Sequence, residues 1–194
     1  MNRSIVVVFF LMMSINLGGC AGAIVAGAAV GASTAHDRRT TGTIVEDEAI
    51  EIKVASLLRE NEDFRKKSSV SAVSFNNIVL LVGQAASTEI SRQIAKEVAN
   101  IPKVRRVHNE IRKAAPSSTL TESSDVWITS KVKTMMIAEK DLDSTRVKIY
   151  TENGEVFLMG LVTQLEARRA IAVARNISGV QKIVELFEYI SPQG

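Results

Sequence analysis

The strongest constraint on the fold of this chain is an internal repeat. The segment Ile78–Gly83 (IVLLVG) returns as Glu155–Gly160 (EVFLMG), and Ala95–Val107 returns as Ala172–Ile183. The offset between the two copies drifts only from 78 to 76 residues along the unit. A register kept over a whole unit indicates a duplicated domain. Because two near-identical small apolar modules seldom form a catalytic site, the duplication favours a binding function.

The first residues have the pattern of a lipoprotein signal peptide, which we predict to span residues 1–19. Residues 5–17 form an apolar stretch that is too short for a comfortable membrane span. Residues 17–20 (LGGC) resemble a bacterial lipobox, which implies cleavage before Cys20 and acylation of this residue. Ala21 stands where aspartate would retain such a protein at the inner membrane, so we expect the outer membrane, facing the periplasm.

The alternative is an ordinary signal peptide followed by an unrelated cysteine. Cys20 is the only cysteine of the chain, so it cannot form a disulfide within the molecule. A single exposed thiol in an oxidising compartment is a liability unless it is used. The cysteine count therefore favours acylation.

Composition divides the rest of the chain into a tether, two domains and a linker. Residues 20–46 start at Cys20, the predicted acylation site, are rich in Gly, Ala, Ser and Thr, and are predicted to form a flexible tether. The repeats give a first domain at 47–113 and a second at 124–191, separated by a linker at 114–123. Each domain is small for an independent core, so we expect the two to pack on each other.

Each domain is predicted to contain a helix, two strands, a second helix and a third strand. In the second domain the first helix starts at Ser124 or Asp125 and runs to about Ala138. Asn153-Gly154 indicates a hairpin, and residues 155–162 are apolar enough for a strand buried on both faces or at a domain contact. In the first domain the corresponding elements are expected at residues 48–59, 69–75, 78–84, 88–100 and 104–113. The fold class is α+β, with the helices packed on one face of a small sheet in each domain.

Several positions are expected to be structural. Four apolar residues of the first helix of the second domain lie at helical spacing and should face the core: Ile128, Val132, Met135 and Met136. Gly83 and Gly160 close the buried strands, where a tight turn into the next helix would require glycine. The basic run at residues 65–67 is interpreted as a solvated loop.

These elements, with a Val-x-Leu-x-Gly strand in each copy, resemble the BON domain. Residues 125–132 (DVWITSKV) and 151–163 (TENGEVFLMGLVT) make the chain similar to the family of two-BON-domain outer-membrane lipoproteins of Gram-negative bacteria. The resemblance covers roughly residues 17–190. It implies binding of anionic phospholipid, chiefly phosphatidylglycerol, and a role in outer-membrane integrity, cell division and envelope stress, with enrichment at the division site.

Comparison of the two copies points to one helix as the binding site. Trp127 is the only tryptophan and stands where the first domain has Ala49. At 100° per residue it lies roughly 125° from the centre of the core stripe, so it should point away from its own domain's core. Tryptophan flanked by lysine suits a membrane interface, and the resemblance implies lipid contact by this same helix. The predicted lipid-binding residues are Trp127, Ser130, Lys131, Lys133, Thr134, Ile137 and Ala138.

Two alternatives stay open for Trp127. It could pack into the interface between the two domains, with Val126 and Ile137 beside it. It could also dock another protein, in which case the chain would be a periplasmic interaction scaffold for an outer-membrane assembly complex or a cell-wall remodelling complex.

Enzymatic and nucleic-acid functions are not predicted. The two histidines, His36 and His108, form no Ser/His/Asp or Cys/His pattern, and the sequence has no metal-ligand cluster or phosphate-binding glycine loop. No catalytic residue, metal or cofactor is therefore expected. The net charge of +3 is weak for a nucleic-acid-binding protein. The expected partners are an anionic phospholipid membrane, the lipid anchor at Cys20 and envelope proteins.

Overall fold

The computed structural model describes residues 37–114 and 119–191; the predicted signal peptide, Cys20 and most of the predicted tether lie outside them. In the first domain the elements are α1 (Thr41–Glu60), α2 (Glu62–Lys67), β1 (Ser68–Phe75), β2 (Ile78–Ala85), α3 (Thr88–Ala99) and β3 (Arg106–Lys113). In the second they are α4 (Thr119–Ala138), a 3₁₀ turn (Ser144–Arg146), β4 (Val147–Glu152), β5 (Glu155–Val162), α5 (Gln164–Arg175) and β6 (Lys182–Tyr189). The predicted α+β order is confirmed in both domains. No helix among these residues is long and apolar enough to cross a membrane.

The two domains contain the same three-stranded sheet. In the first, β2 lies in the centre, antiparallel to β1 and parallel to β3. In the second, β5 takes the same place between β4 and β6. The hairpins turn at Asn76-Asn77 and Asn153-Gly154, and all four residues have positive φ. Asparagine and glycine tolerate this backbone region better than other residues, which explains why the hairpin signal could be recognised in the sequence.

One face of each sheet is covered by helices. In the first domain Ile50 and Val54 of α1 and Ile94 of α3 pack with Val79 and Leu81 of β2. In the second domain the equivalent core contains Ile128, Val132, Met136, Val156, Leu158, Ala170 and Ala174. Alternate side chains of the central strands therefore point to the helices, as the period of a strand requires.

The opposite faces of the two sheets pack against each other. Leu80 and Val82 of β2 share a buried cluster with Phe157 and Met159 of β5. Both central strands are thus covered on two sides, which confirms the expectation from their continuous apolar sequence and the expectation that the domains pack together. The layers run helices, sheet, sheet, helices.

Polar contacts surround this sheet-to-sheet interface. Lys148 donates from Nζ to Glu51 Oε1 at 2.7 Å, and Arg105 Nη2 lies 2.9 Å from Glu188 Oε1. At the start of the described chain, Arg38 reaches the second domain and donates to the carbonyl oxygen of Leu161 at 2.9 Å. These bonds join the two domains around their shared apolar core.

The strand glycines are required for a reason other than the predicted one. β2 and β5 do not end at Gly83 and Gly160 but continue to Ala85 and Val162. A Cβ atom on Gly83 would lie 2.1 Å from the carbonyl oxygen of Ser69 in β1, and one on Gly160 would lie 2.4 Å from that of Arg146, the residue directly before β4. Only Gly83 of the two has a left-handed φ, at 116°. Close approach of the neighbouring strand, rather than a turn into a helix, therefore excludes a side chain.

Some boundaries differ from those predicted. α1 begins at Thr41, capped by Thr40, so the end of the predicted tether is helical. α4 begins at Thr119, so the second half of the predicted linker is helical too. Residues 65–67, interpreted as a loop, close α2, which Asn61 caps and buried Phe64 holds against the first core. Thr40 and Asn61 are residue types that favour helix caps, but neither was predicted as one, and the burial of Phe64 depends on the tertiary fold.

Candidate functional site

The outer face of α4 is apolar and exposed. Trp127 exposes 53% of its surface, and Val126 and Ile137 expose 67% and 65%. The interdomain core consists of strand residues and does not include α4. The alternative that Trp127 packs between the domains is therefore wrong. All seven residues predicted to bind lipid lie on exposed positions of this helix.

Met135 was predicted to face the core but exposes 44% of its surface. From residue 121 on, where the burial of α4 is described, the buried residues are Asp125, Ile128, Val132 and Met136. The buried Asp125 shifts the centre of the inward face towards Val132 and Met136, which leaves Met135 at its edge. Met135 adds to the exposed apolar surface instead of filling the core.

Two hydroxyl groups on this face are already bonded within the helix. Ser130 Oγ donates to the carbonyl oxygen of Val126, and Thr134 Oγ1 donates to that of Ser130, both at 2.8 Å. Their protons are thereby used by the preceding turn. The outward surface around Trp127 is accordingly less polar than its sequence indicates.

Two cations flank the apolar residues. Lys131 and Lys133 are exposed, and neither forms a salt bridge with another residue in the described part of the chain. Because Trp127, Lys131, Thr134 and Ala138 are spaced by three or four residues, they form one stripe along α4. Indole and ammonium groups on one face can bind an amphipathic anion. The indole ring would contact the apolar part of the anion, and the ammonium groups would contact its acidic group.

The equivalent helix of the first domain has a different surface. α1 also exposes apolar side chains, Val45 and Ile52, at 63% and 66%. However, α1 carries five acidic and two basic residues, whereas α4 carries two of each. Glu48 of α1 stands where α4 has Val126, and Glu60 stands where α4 has Ala138. The first domain therefore lacks the tryptophan, and the helix that corresponds to α4 is acidic.

A buried aspartate fixes α4 on its sheet. Asp125 accepts hydrogen bonds from the backbone N–H of Asn153 at 2.7 Å and of Gly154 at 2.8 Å. In the first domain Asp47 does the same for Asn76 and Asn77, both at 2.8 Å. Each helix is thus tied to its hairpin by two charge-assisted bonds. The sequence comparison missed this pair, although both aspartates occupy the same place in the repeat.

A shallow groove lies between α4 and α5. Its volume is about 340 Å³, and it is lined by Met135, Ala138, Glu139, Arg169, Ala172, Val173, Asn176 and Ile177. Arg169 is held at its rim by the carbonyl oxygen of Asp141 at 2.7 Å and by the carboxylate of the same residue at 3.0 Å. Two helices from distant parts of the sequence form this groove, so periodicity within one helix could not reveal it.

Glu166 organises the end of the second domain at which α5 begins. It completes a capping box with Thr163 and binds the guanidinium groups of Arg38 at 2.7 Å and Arg146 at 2.6 Å. Burial alone would raise the pKa of this carboxyl, but the bonds from Arg38, Thr163 and Arg146 outweigh it and lower the pKa to about 2. The ionised form therefore stabilises the fold.

We expect this carboxylate to make stability depend on pH. Its folded pKa lies below the unfolded value of about 4.3, so the stabilisation is present above that value and is lost as the pH falls towards 2. Between pH 7 and pH 3 the loss should be about 2 kcal/mol. Urea unfolding of wild type and of Glu166→Gln, which can still cap α5, would measure it. The variant should lack this part of the pH slope, whereas an exposed control, Glu97→Gln, should keep it. An unchanged slope in Glu166→Gln would contradict this assignment.

The comparison with known protein families finds one domain twice in this chain, over the same two segments that form the repeated sheets. The chain belongs to the BON domain family, which matches residues 46–115 and 124–191.

It is 38% identical over 177 residues to the outer membrane lipoprotein DolP of Haemophilus influenzae, covering 91% of this chain and 92% of that protein. It is also 36% identical over 154 residues to a 21 kDa hemolysin of Actinobacillus pleuropneumoniae, covering 79% of each. The osmotically-inducible protein Y of Escherichia coli is 29% identical over 147 residues, which is 73% of this chain and 72% of that protein.

Within residues 37–114 and 119–191, no group of histidine, cysteine or acidic side chains is arranged to hold a metal ion. That the protein has no enzymatic activity stays a prediction.

Proposed function

We propose that the chain is an outer-membrane lipoprotein that binds anionic phospholipid, chiefly phosphatidylglycerol, through α4 of its second BON domain. The observation that carries this proposal is the exposure of Trp127 on a helix face with Lys131 and Lys133, neither of which has an acidic partner among the described residues. An indole at the headgroup level and ammonium groups near lipid phosphates form a typical interfacial contact.

The energy of such a contact is modest and depends on charge. Each lysine near an anionic surface contributes about 1 kcal/mol, and a partly buried indole adds the transfer energy of its apolar area. Zwitterionic lipid allows the apolar contact of the indole but lacks the net negative charge that attracts the lysines. Discrimination between lipids would therefore come from the lysines, and depth of insertion from Trp127, Val126 and Ile137.

The relative from Haemophilus influenzae is named an outer membrane lipoprotein, which supports the same location for this chain. Acylation of Cys20, which lies outside the described residues, would place the protein permanently in one leaflet. The contact by α4 would then form at high effective concentration and could be individually weak. Such a protein would concentrate where anionic lipid is enriched, which suits a role in outer-membrane integrity and division.

The test is a vesicle titration of the protein produced without its first 20 residues. Because the chain has one tryptophan, its fluorescence reports on position 127 alone. Vesicles containing phosphatidylglycerol should shift the emission to shorter wavelength and perturb the amide NMR signals of residues 124–138. Phosphatidylcholine vesicles should have little effect.

If the anionic vesicles changed neither the tryptophan emission nor the NMR signals, the proposal would be disproved. The interaction scaffold would then become the better interpretation, because the exposed face of α4 would need an occupant other than lipid. Capture of an envelope protein that is lost in Trp127→Glu would support it.

A further inference from the structure

The second helix of the same domain also presents an apolar and cationic stripe. On α5, Leu165 exposes 49% of its surface, and Arg168, Ala172 and Arg175 are exposed as well. These residues are separated by three or four positions, so they share one face of the helix. Neither Arg168 nor Arg175 has an ion-pair partner among the residues that the structure describes.

This stripe faces the same side of the molecule as α4. Residues of both helices, among them Val132 and Ala170, pack on the same face of the second sheet. The groove lined by Met135 and Val173 separates their outward surfaces. A flat partner that contacts Trp127 therefore meets α5 across this groove.

The charge of α5 favours an anionic partner. It carries three arginines and one acid, Glu166, which is buried and already bound by Arg38 and Arg146. The equivalent helix of the first domain, α3, carries two acids and two bases. Counted from their capping residues Ser87 and Thr163, α3 has Glu89 where α5 has Leu165. An exposed apolar residue thus replaces an acidic one on the second domain only.

We propose that α5 is the second half of the membrane contact, in which Arg168 and Arg175 bind lipid phosphates while the groove beside Met135 receives the apolar part of the interface. This inference rests on the proposed function and extends it from one helix to two. Guanidinium groups suit this role because they bind phosphate oxygens in a bidentate manner. Two helices that contact the bilayer also fix the orientation of the domain on it, which one helix cannot do.

The experiment compares the full chain without its first 20 residues in three forms: wild type, Arg168→Ala/Arg175→Ala, and the control Arg92→Ala. Arg92 stands on α3 at the place of Arg168 and lies 3.6 Å from Glu89. Binding to phosphatidylglycerol vesicles is measured by Trp127 fluorescence at several salt concentrations. The double variant should bind about thirtyfold more weakly and show a weaker dependence on salt, because two cations near an anionic surface are removed. The control should match wild type.

The outcomes separate this inference from the proposed function. Equal binding by wild type and the double variant overturns the role of α5 and leaves that of α4 intact. Loss of response in all three proteins overturns the proposed function itself. Since Arg168 and Arg175 are exposed, we expect thermal unfolding of the double variant to match wild type. If the double variant is less stable than wild type, Arg168→Lys/Arg175→Lys keeps the charge but not the bidentate guanidinium. Binding by this variant between that of wild type and that of the alanine form supports the proposal, and binding as weak as that of the alanine form overturns the contribution of charge.

Discussion

Replacement of Trp127 by glutamate is expected to weaken binding to phosphatidylglycerol vesicles by about a hundredfold. The change removes the apolar contact of the indole and adds a negative charge beside an anionic surface, which together cost about 3 kcal/mol. Stability should hardly change, because the side chain is exposed and takes no part in any of the three buried clusters. Sedimentation with vesicles and thermal unfolding measure the two effects separately.

The first domain offers a matched control for this variant. Ile52 is an exposed apolar residue on α1, the helix that corresponds to α4. Ile52→Glu introduces the same charge on the same kind of surface, but it should leave vesicle binding unchanged. Equal losses in the two variants would mean that general repulsion, rather than a site on α4, controls binding. A fall of more than a few degrees in the melting temperature of Trp127→Glu would mark Trp127 as a structural residue.

Asp125→Ala should cause the largest loss of stability among single changes near the site. It leaves two backbone N–H groups, those of Asn153 and Gly154, without their acceptor, and Asp125 itself is only 7% exposed. Loss of two charge-assisted bonds to buried donors should cost about 4 kcal/mol, which lowers the melting temperature by about 10 °C for a protein of this size. Calorimetry measures the change directly.

The repeat supplies an internal comparison for this prediction as well. Asp47→Ala removes the equivalent acceptor of the first domain, which also serves Ser74 Oγ at 2.6 Å and Arg39 at 2.8 Å, so its effect should be at least as large. Asp63→Ala, on the exposed surface of α2, should have little effect. If Asp125→Ala melted within about 2 °C of wild type, the carboxylate of Asp125 would contribute little to stability. The importance of this aspartate for the hairpin would then be disproved.

The parts of the structure that were predicted correctly depend on local spacing or on the repeat. That Trp127 points away from the core of its own domain followed from its angle on one helix, and the buried central strands followed from their uninterrupted apolar sequence. The position of Met135 could not be obtained in this way, because the polar Asp125 occupies part of the inward face. No pattern along one helix could show that Asp125 binds a turn 28 residues away.

The features that could not be predicted from the sequence depend on contacts between distant segments of the chain. Arg38 and Glu166 are separated by 128 positions, and nothing in the sequence near either residue indicates the other. The groove between α4 and α5 likewise forms only because two distant helices pack side by side. The strand glycines were identified correctly as structural, but the clash of an added Cβ with the neighbouring backbone becomes visible only when the hairpin is formed.

The back-to-back arrangement of the two sheets has a consequence for the geometry of the cell envelope. Because the helices lie on the two outer sides of the sandwich, a bilayer that covers α4 and α5 leaves α1 and α3 pointing away from it. The first domain, with its exposed Val45 and Ile52 on an acidic helix, then remains open to the aqueous space while the second is occupied. One molecule can in this way present a lipid-facing side and a solvent-facing side at the same time, without any change of conformation.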